Sequence, residues 1–335
     1  MNKFNKFMTG YDKGFEVNLK DLFTNSVKPI VTVDETGKVN KKTKLWLRVF
    51  LLLLSLCFVY IFIVYLNDVA LAFPWLALIA SAIVPITVAT FIYEIPGKES
   101  VSIMNIILVF LIGTAGAFFA LVQMFVSYGY EEINIIIIAP IIEEIAKAIV
   151  VISTIQLLKI KSVKSAILIG WVVGAGFQIA ESLGYATYYG YEGIFTQIEF
   201  VDETTYYFVG FIDYSTLILR SIFSFGSHAL YAALGGAAYM LSAAKINNRK
   251  HFNYLRFIIW FMIPILLHAL NNLFSVFVTN AFALYSVLIS LEIVTVFIFY
   301  YLLNVITLDE KYYVDETLLI QSELPNEPTN ETPVQ

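Results

Sequence analysis

The residues that could do chemistry in this chain are ionisable groups set inside otherwise apolar stretches. Glutamate and histidine together can move protons during hydrolysis, and the same carboxylate and imidazole groups can bind zinc. An ionisable side chain within a membrane helix costs at least about 2.5–3.5 kcal/mol on insertion scales, so each one implies a function or a specific partner. These groups are Glu143, Glu144, Lys147, Glu181, His228, His268 and Glu292, with Arg220 near the end of one stretch.

The spacing of these residues places several of them on common helix faces. Glu143 and Lys147 are separated by four positions with the acid first, which is the favourable order for an ion pair. Glu144 is rotated by about 100° from Glu143 around the helix. We therefore expect Lys147 to pair with Glu143 and Glu144 to be the working base, with the reverse assignment left open. The same spacing occurs in the pairs Phe177–Glu181 and His268–Asn272.

The elements that must position these groups are transmembrane helices. The chain has 335 residues, of which 59% are hydrophobic and 14% charged, whereas soluble domains are roughly 45–50% apolar and about 25% charged. The fold is therefore predicted to be all-α, a polytopic transmembrane helix bundle. A net charge of −5 does not indicate a nucleic-acid partner. The single cysteine, Cys57, excludes a disulfide framework within the chain and a cysteine-based metal site.

Eight apolar runs are long enough to cross the lipid bilayer, which requires about 20 residues each. Lys and Arg lie in the loops at alternate ends of these runs, so both termini are predicted to be cytoplasmic. Residues 1–43 are expected to form a cytoplasmic N-terminal segment and residues 305–335 a disordered acidic tail. The predicted spans are 45–66, 70–93, 101–127, 133–157, 164–187, 215–243, 254–277 and 282–304.

The polar groups on these spans are predicted to lie at similar depths in the membrane. With a rise of about 1.5 Å per residue, Glu144 falls roughly 15 Å below the outer surface, Glu181 near 9 Å and His268 near 14 Å. His228 falls between about 10 and 20 Å on the same scale. Because the helices run in alternating directions, nothing in the sequence forces this agreement. We therefore expect a single site in the outer half of the membrane or near its midplane.

Four short motifs resemble those of the PrsW family of intramembrane proteases. Residues 143–147 (EEIAK) match the EExxK motif of that family, and residues 177–181 (FQIAE) are similar to its second motif. His228 resembles the third motif and residues 268–272 (HALNN) the fourth. The resemblance covers about 100–277. Four motifs in order, each on its own span, are more specific than a single EExxK.

The resemblance implies a transmembrane protease domain over 44–304 that cuts a peptide bond in or beside the membrane. The implied substrate is a single-pass membrane protein such as an anti-sigma factor, and the implied location is the cell membrane. Related CAAX-type enzymes use EExxxR and a histidine where this chain has EExxK and a glutamate, which disfavours prenyl-protein processing. By position, the implied active-site residues are Glu143, Glu144, Glu181, His228, His268 and Asn272, supported by Lys147 and Phe177.

Two mechanisms are open within the enzyme class. In the favoured mechanism no cofactor is needed: Glu144 activates water, His228 or His268 shuttles the proton, and Asn272 helps to hold the oxyanion. In the other, zinc or another divalent metal is held by carboxylates and imidazoles, with water in the open position. The ligand set expected for such a metal is Glu144, Glu181, His228 and His268.

A proton- or cation-coupled carrier is the alternative outside the enzyme class, since carriers also relay ions through buried acids and histidines. The sequence shows no internal repeat and no inverted pair of interrupted helices, which weighs against a carrier built from repeats. Glu292 matches no motif. It is expected to be structural, with Arg220 as its candidate partner.

Overall fold

A computed structural model describes most of the apolar part of the chain. The described residues are 2–9, 32–33, 39–40, 44–67, 73–95, 101–126, 133–198, 221, 224–243, 245–246, 249–250 and 252–323. The prediction of an all-α fold is confirmed, because helices dominate these ranges. Each strand in these ranges is two residues long. Strand β1 (Thr32–Val33) pairs antiparallel with β2 (Val39–Asn40), and β3 (Lys245–Ile246) pairs antiparallel with β4 (Arg249–Lys250).

Apart from the short polar helix α1, the helices of the described ranges follow the apolar runs of the sequence. A π-helical turn at Asn134–Ile138 leads directly into α5. Pro140 lies in the first turn of α5, where it has no backbone N–H to donate back to the π-helical turn. The helices are α1 (Asn2–Thr9), α2 (Leu45–Asn67), α3 (Phe73–Glu94), α4 (Ile103–Val126), α5 (Ala139–Leu157), α6 (Val163–Ile198), α7 (His228–Ser242), α8 (Tyr254–Phe277) and α9 (Ala281–Glu323).

Five of these helices are long and apolar enough to cross a membrane. The other three predicted spans, and the cytoplasmic side of both termini, stay predictions. Helix α7 has only 15 residues, or about 22 Å of length. Helix α5 carries two glutamates and a lysine, and the described side chains of α4 form a shorter apolar stretch, Ile103–Ala117. The five candidate spans are Leu45–Ile63, Trp75–Glu94, Val163–Gly184, Tyr254–Phe277 and Phe282–Asp309.

Three helix ends differ from the predicted boundaries. Helix α6 continues to Ile198, past the predicted end at 187. Helix α7 begins at His228 rather than at 215, because residues 224–227 form a turn. Helix α9 continues past 304, where the acidic tail was predicted to begin. Packing explains this extension: Ile306 is buried, and the Asp309 carboxylate accepts a hydrogen bond from the N–H of Val163 at 3.1 Å. Residues 324–335 lie outside the described ranges.

Helix α6 lies at the centre of the bundle. Of the 18 residues in an apolar stretch of α6, 94% are buried inside the protein, whereas none of the corresponding stretch of α2 is buried. Glycines allow α7 to pack directly on α6: a Cβ on Gly170 would collide with backbone atoms of Ala232 and Ala233, and one on Gly174 with the backbone of His228. In lipid, such small residues let two helix backbones approach and gain van der Waals contact. The close contact at Gly170 and Gly174 therefore fixes the position of His228 relative to α6.

Polar side chains connect the helix ends across the bundle. Glu94, the last residue of α3, accepts hydrogen bonds from the N–H groups of Leu45 and Trp46 at 2.8 and 3.1 Å. These N–H groups start α2 and have no partner within that helix. The indole N–H of Trp260 on α8 donates to the carbonyl of Met8 at 2.9 Å. The N-terminal helix α1 is thereby held against α8.

Candidate active site

Four helices bring the ionisable residues of the four motifs together at one point. Helix α5 carries the two glutamates and the lysine on adjacent positions of one face, as the i,i+3 and i,i+4 spacing requires. Helices α6, α7 and α8 each add one residue. The buried members Glu144, Lys147, His228 and His268 are only 2%, 3%, 5% and 5% exposed. The assembled residues are Glu143, Glu144, Lys147, Glu181, His228 and His268.

Lys147 lies at the centre of this cluster. Its Nζ is 2.7 Å from Glu144 Oε1 but 3.6 Å from the nearest oxygen of Glu143. The expectation that Lys147 pairs mainly with Glu143 is therefore wrong, and Glu144 is its closer partner. The helix places both acids within reach, and the inward rotation of Glu144 gives it the shorter contact. Lys147 Nζ also lies 4.2 Å from the centroid of the Phe177 ring, a cation–π contact.

His228 connects Lys147 to Glu181. Its Nδ1 lies 2.6 Å from Lys147 Nζ, and its Nε2 lies 2.5 Å from Glu181 Oε2. Because an ammonium group can only donate, Nδ1 must be the acceptor, which leaves the proton of a neutral imidazole on Nε2. The Glu181 carboxylate lies beside that nitrogen. The surroundings of His228 thus favour a single tautomer.

His268 is oriented by Glu144. Nδ1 of His268 lies 3.0 Å from Glu144 Oε1. An ionised carboxylate can only accept, so the proton of a neutral His268 is on Nδ1, and the lone pair remains on Nε2. Glu144 therefore holds Lys147 and His268 at the same oxygen. This leaves Glu144 poorly suited to the role of freely acting base.

Glu143 has spare bonding capacity at one of its carboxylate oxygens. Its Oε2 makes no hydrogen bond to any residue that the structure describes. The same oxygen is 3.6 Å from Lys147 Nζ and 3.9 Å from His228 Nδ1. The Glu143 side chain is also more exposed than that of Glu144, at 12% against 1%. Glu143 can accept a proton or bind a cation without breaking a hydrogen bond.

The donor atoms of this cluster fit a divalent metal ion. Among the described residues, one ligand atom each from Glu143, His228 and His268 lie within 4.8 Å of one another. Two imidazoles and a carboxylate are a common ligand set for catalytic zinc. The predicted ligand set of Glu144, Glu181, His228 and His268 differs from this group. Glu143 takes the place of the two other acids, because Glu144 is bound to Lys147 and His268 and Glu181 faces His228.

The charges of the cluster also fit a divalent cation. With their carboxylates ionised, Glu143, Glu144 and Glu181 carry three negative charges against the one positive charge of the Lys147 ammonium, which leaves two net negative charges in a mostly buried site. Uncompensated charge is strongly disfavoured at such a position, so it must be neutralised by protons or by a cation. A ligand bond through Nδ1 of His228 would require the Lys147 ammonium to move away, because Nζ now lies 2.6 Å from that atom.

Aromatic rings fix the orientation of both histidines. The Phe177 ring packs on His228 with centroids 4.9 Å apart. Tyr231 stacks on His268 at 5.7 Å, with 26° between the ring planes. Tyr231 did not emerge from the sequence as a site residue. Tyr231 lies three residues after His228 and so shares its face of α7, and this spacing is the sequence signal that could have identified it.

Three other residues singled out in the sequence, the predicted site residue Asn272 and the pair Glu292 and Arg220 that was expected to be structural, lie outside this contact network or outside the described residues. The side-chain amide of Asn272 donates to the carbonyl of Ile135 at 2.8 Å, in the π-helical turn before α5. Glu292 accepts a hydrogen bond from the N–H of Gly226 at 3.1 Å. Its proposed partner Arg220 lies outside the described residues. Asn272 therefore supports the backbone that leads into α5, and Glu292 supports the turn before α7.

An intramembrane hydrolase that works with glutamate and histidine needs these groups from separate helices to meet at one point, as they do here. The comparison with protein families agrees: the model of the PrsW family of intramembrane metalloproteases matches residues 73–303. The chain therefore belongs to the PrsW family and is a membrane hydrolase of the protease type. The match extends beyond the motif-bearing stretch 100–277 at both ends. No curated protein and no solved structure matches the chain.

Proposed function

We propose that this protein is an intramembrane endopeptidase that cuts a membrane-anchored, single-pass protein at the Glu143–His228–His268 cluster. The observation that carries the proposal is the approach of these three ligand atoms to within 4.8 Å of one another. Around them, Glu144, Lys147 and Glu181 supply the hydrogen bonds and charges that hold the imidazoles in place. Family membership supports the reaction type.

The metal-dependent form of this activity is the better supported one. Glu143, His228 and His268 would hold the ion after the Lys147 ammonium moves away from Nδ1 of His228. A bound zinc ion would activate water and polarise the scissile carbonyl. Glu144 orients His268 by accepting a hydrogen bond from its Nδ1. At many zinc sites a carboxylate orients a zinc-binding histidine in the same way. Glu181 exchanges a proton with Nε2 of His228. The Lys147 ammonium stabilises negative charge that develops on the substrate.

A metal-free glutamic mechanism is the second candidate, and two features favour it. Lys147 already supplies a positive charge to His228 at 2.6 Å, and Glu143 Oε2 is left without a hydrogen bond among the described residues. In this mechanism Glu143 takes the proton from water, and an imidazole protonates the leaving amine. Glu143 thus replaces Glu144 as the proposed base.

The substrate class follows from the family resemblance and from the predicted depth of the site. A site in the outer half of the membrane suits a cut on the extracytoplasmic side of a single-pass protein, and an anti-sigma factor is the candidate implied by the resemblance. We place the enzyme in the cell membrane on the same grounds.

The activity is tested by reconstituting the purified protein in liposomes with a panel of single-pass substrates. The variants Glu143→Gln, His228→Ala and His268→Ala should lose cleavage. Gln156→Ala, which changes an exposed residue of α5, should retain it. Stoichiometric zinc in the active protein, with activity lost on chelation and restored by zinc, supports the metal form. Full activity without bound metal supports the glutamic form. Intact substrates together with ion flux would instead indicate a carrier.

A further inference from the structure

The helix that carries His228 begins at a break in a predicted span. Residues 224–227 form a turn, and the first helical hydrogen bond there runs from the N–H of Tyr231 to the carbonyl of Ser227 at 3.0 Å. Ser227 has the non-helical backbone angles φ −121° and ψ −146°. Non-helical backbone at membrane depth persists only where other protein groups satisfy its N–H and C=O groups. The turn before His228 therefore needs partners.

Gln178 supplies two of these partners from α6. Its side-chain NH₂ donates to the carbonyl of Ser224 at 2.9 Å, and its side-chain carbonyl accepts from the N–H of Ala229 at 3.4 Å. One side chain thus bridges the turn from its first residue to the residue after His228. Gln178 is only 2% exposed, so this amide has no competing water.

Glu292 supplies the third partner from α9. Its Oε1 accepts a hydrogen bond from the N–H of Gly226 at 3.1 Å. Gly226 lies so close to Glu292 and Thr295 that a Cβ there would collide with both side chains. The neighbouring residue Phe225 packs between Trp171 and Phe299, with ring centroids 5.8 and 5.1 Å away. The turn is therefore held by α6 on one side and by α9 on the other.

The position of this turn determines where the imidazole of His228 lies. Both ring nitrogens of His228 are in use, Nδ1 at 2.6 Å from Lys147 and Nε2 at 2.5 Å from Glu181. These contacts leave little room for the backbone at His228 to shift. A displacement of the turn would break one contact or the other, and so would change the tautomer and the direction of the ring.

We propose that Gln178 and Glu292 are positioning residues for His228. Acting together on the Ser224–Ala229 backbone, they hold the imidazole between Lys147 and Glu181. The inference rests on the proposed protease function for its effect on catalysis, but not for its effect on His228 itself. Neither residue touches the reacting atoms, so their loss should lower kcat rather than substrate binding.

The test uses the full-length protein in nanodiscs. The substituted side chains are of similar size to the originals but cannot make their hydrogen bonds. In Gln178→Met and Glu292→Leu, kcat should fall about 10–100-fold, as for other supporting residues, while KM changes by less than about threefold. Glu292→Gln keeps an acceptor oxygen and should recover most of kcat. Gln156→Met is the matched control: Gln156 also bonds α7, at Tyr239 Oη 3.1 Å away, near the other end of that helix.

A second readout does not depend on cleavage. The chain has three histidines, so the imidazole ¹⁵N NMR signals of His228 can be assigned by comparison with His228→Ala. We expect one Nε2–H tautomer in the wild type and in Gln156→Met, and a mixture in Gln178→Met and Glu292→Leu. Unchanged His228 signals in both of these variants would overturn the proposal, as would altered signals with unchanged kcat. If the wild type cut no substrate, the proposed function would fail, while the NMR comparison would still decide whether these residues position His228.

Discussion

Nζ of Lys147 lies 2.6 Å from Nδ1 of His228, although the two residues are 81 positions apart in the chain. This contact joins α5, which carries both adjacent glutamates, to α7, which carries the histidine. The same ammonium, the only one in the described cluster, lies 2.7 Å from Glu144 and 3.6 Å from Glu143. Lys147 is therefore both the electrostatic centre of the site and a structural link between two helices.

Replacing Lys147 by Met should destabilise the protein. The Glu144 carboxylate, which is almost fully buried, would lose its cationic partner, and breaking a buried ion pair in this way costs about 3–5 kcal/mol. The free energy of unfolding, measured by denaturant titration in detergent micelles, should fall accordingly. Lys159→Met removes an exposed lysine and should change that free energy by about 0.5 kcal/mol or less. Equal effects of the two substitutions would contradict the assigned pairing.

The two adjacent glutamates should respond differently to replacement by glutamine. Glu143→Gln removes the acid with spare bonding capacity, so kcat should fall by about 10²–10⁴-fold with little loss of stability. Glu144→Gln removes the charge that faces Lys147, so both kcat and the free energy of unfolding should fall. Cleavage kinetics and denaturant unfolding of the same preparations separate the two cases. A stable but inactive Glu144→Gln beside an active Glu143→Gln would restore Glu144 as the base.

The stacking of Tyr231 on His268 predicts that the ring matters for catalysis. Tyr231→Phe keeps the ring and should retain most of the activity, whereas Tyr231→Leu removes the stacked pair, worth about 0.5–1.5 kcal/mol, and frees the His268 ring to turn. The comparison is made by measuring kcat for both variants on one substrate. Loss of activity in Tyr231→Phe would show that the hydroxyl, rather than the ring, is the required group.

Two glycines on α6 form a matched pair for testing helix packing. A Cβ on Gly174 would collide with the backbone at His228, whereas a Cβ on Gly184 meets nothing within 4 Å. Gly174→Ala should therefore lower the free energy of unfolding by about 1–3 kcal/mol, the usual cost of overpacking. Gly184→Ala should be neutral or stabilising, because alanine is favoured over glycine in helices by about 1 kcal/mol. Similar unfolding curves for the two variants would rule out the close approach of α6 and α7.

Much of the architecture could be predicted from the sequence because its signals are local. An apolar run of about 20 residues must become a helix in lipid, since no other local structure satisfies its backbone. The i,i+4 spacing then places Glu143 and Lys147, or Phe177 and Glu181, on one face of a helix regardless of the rest of the fold. Four motifs of this kind were enough to indicate the PrsW family and the group of side chains that meet.

The tertiary structure decided how those side chains are paired. Lys147 can reach either glutamate from the same helix, and the position of His228 and His268 on two other helices determines that Glu144 becomes the shared partner. Gln178 and Glu292 acquire their contacts only because the chain turns at residues 224–227 beside them. Such contacts join residues tens of positions apart and depend on helix rotation and close approach, which a linear pattern of residue types does not encode.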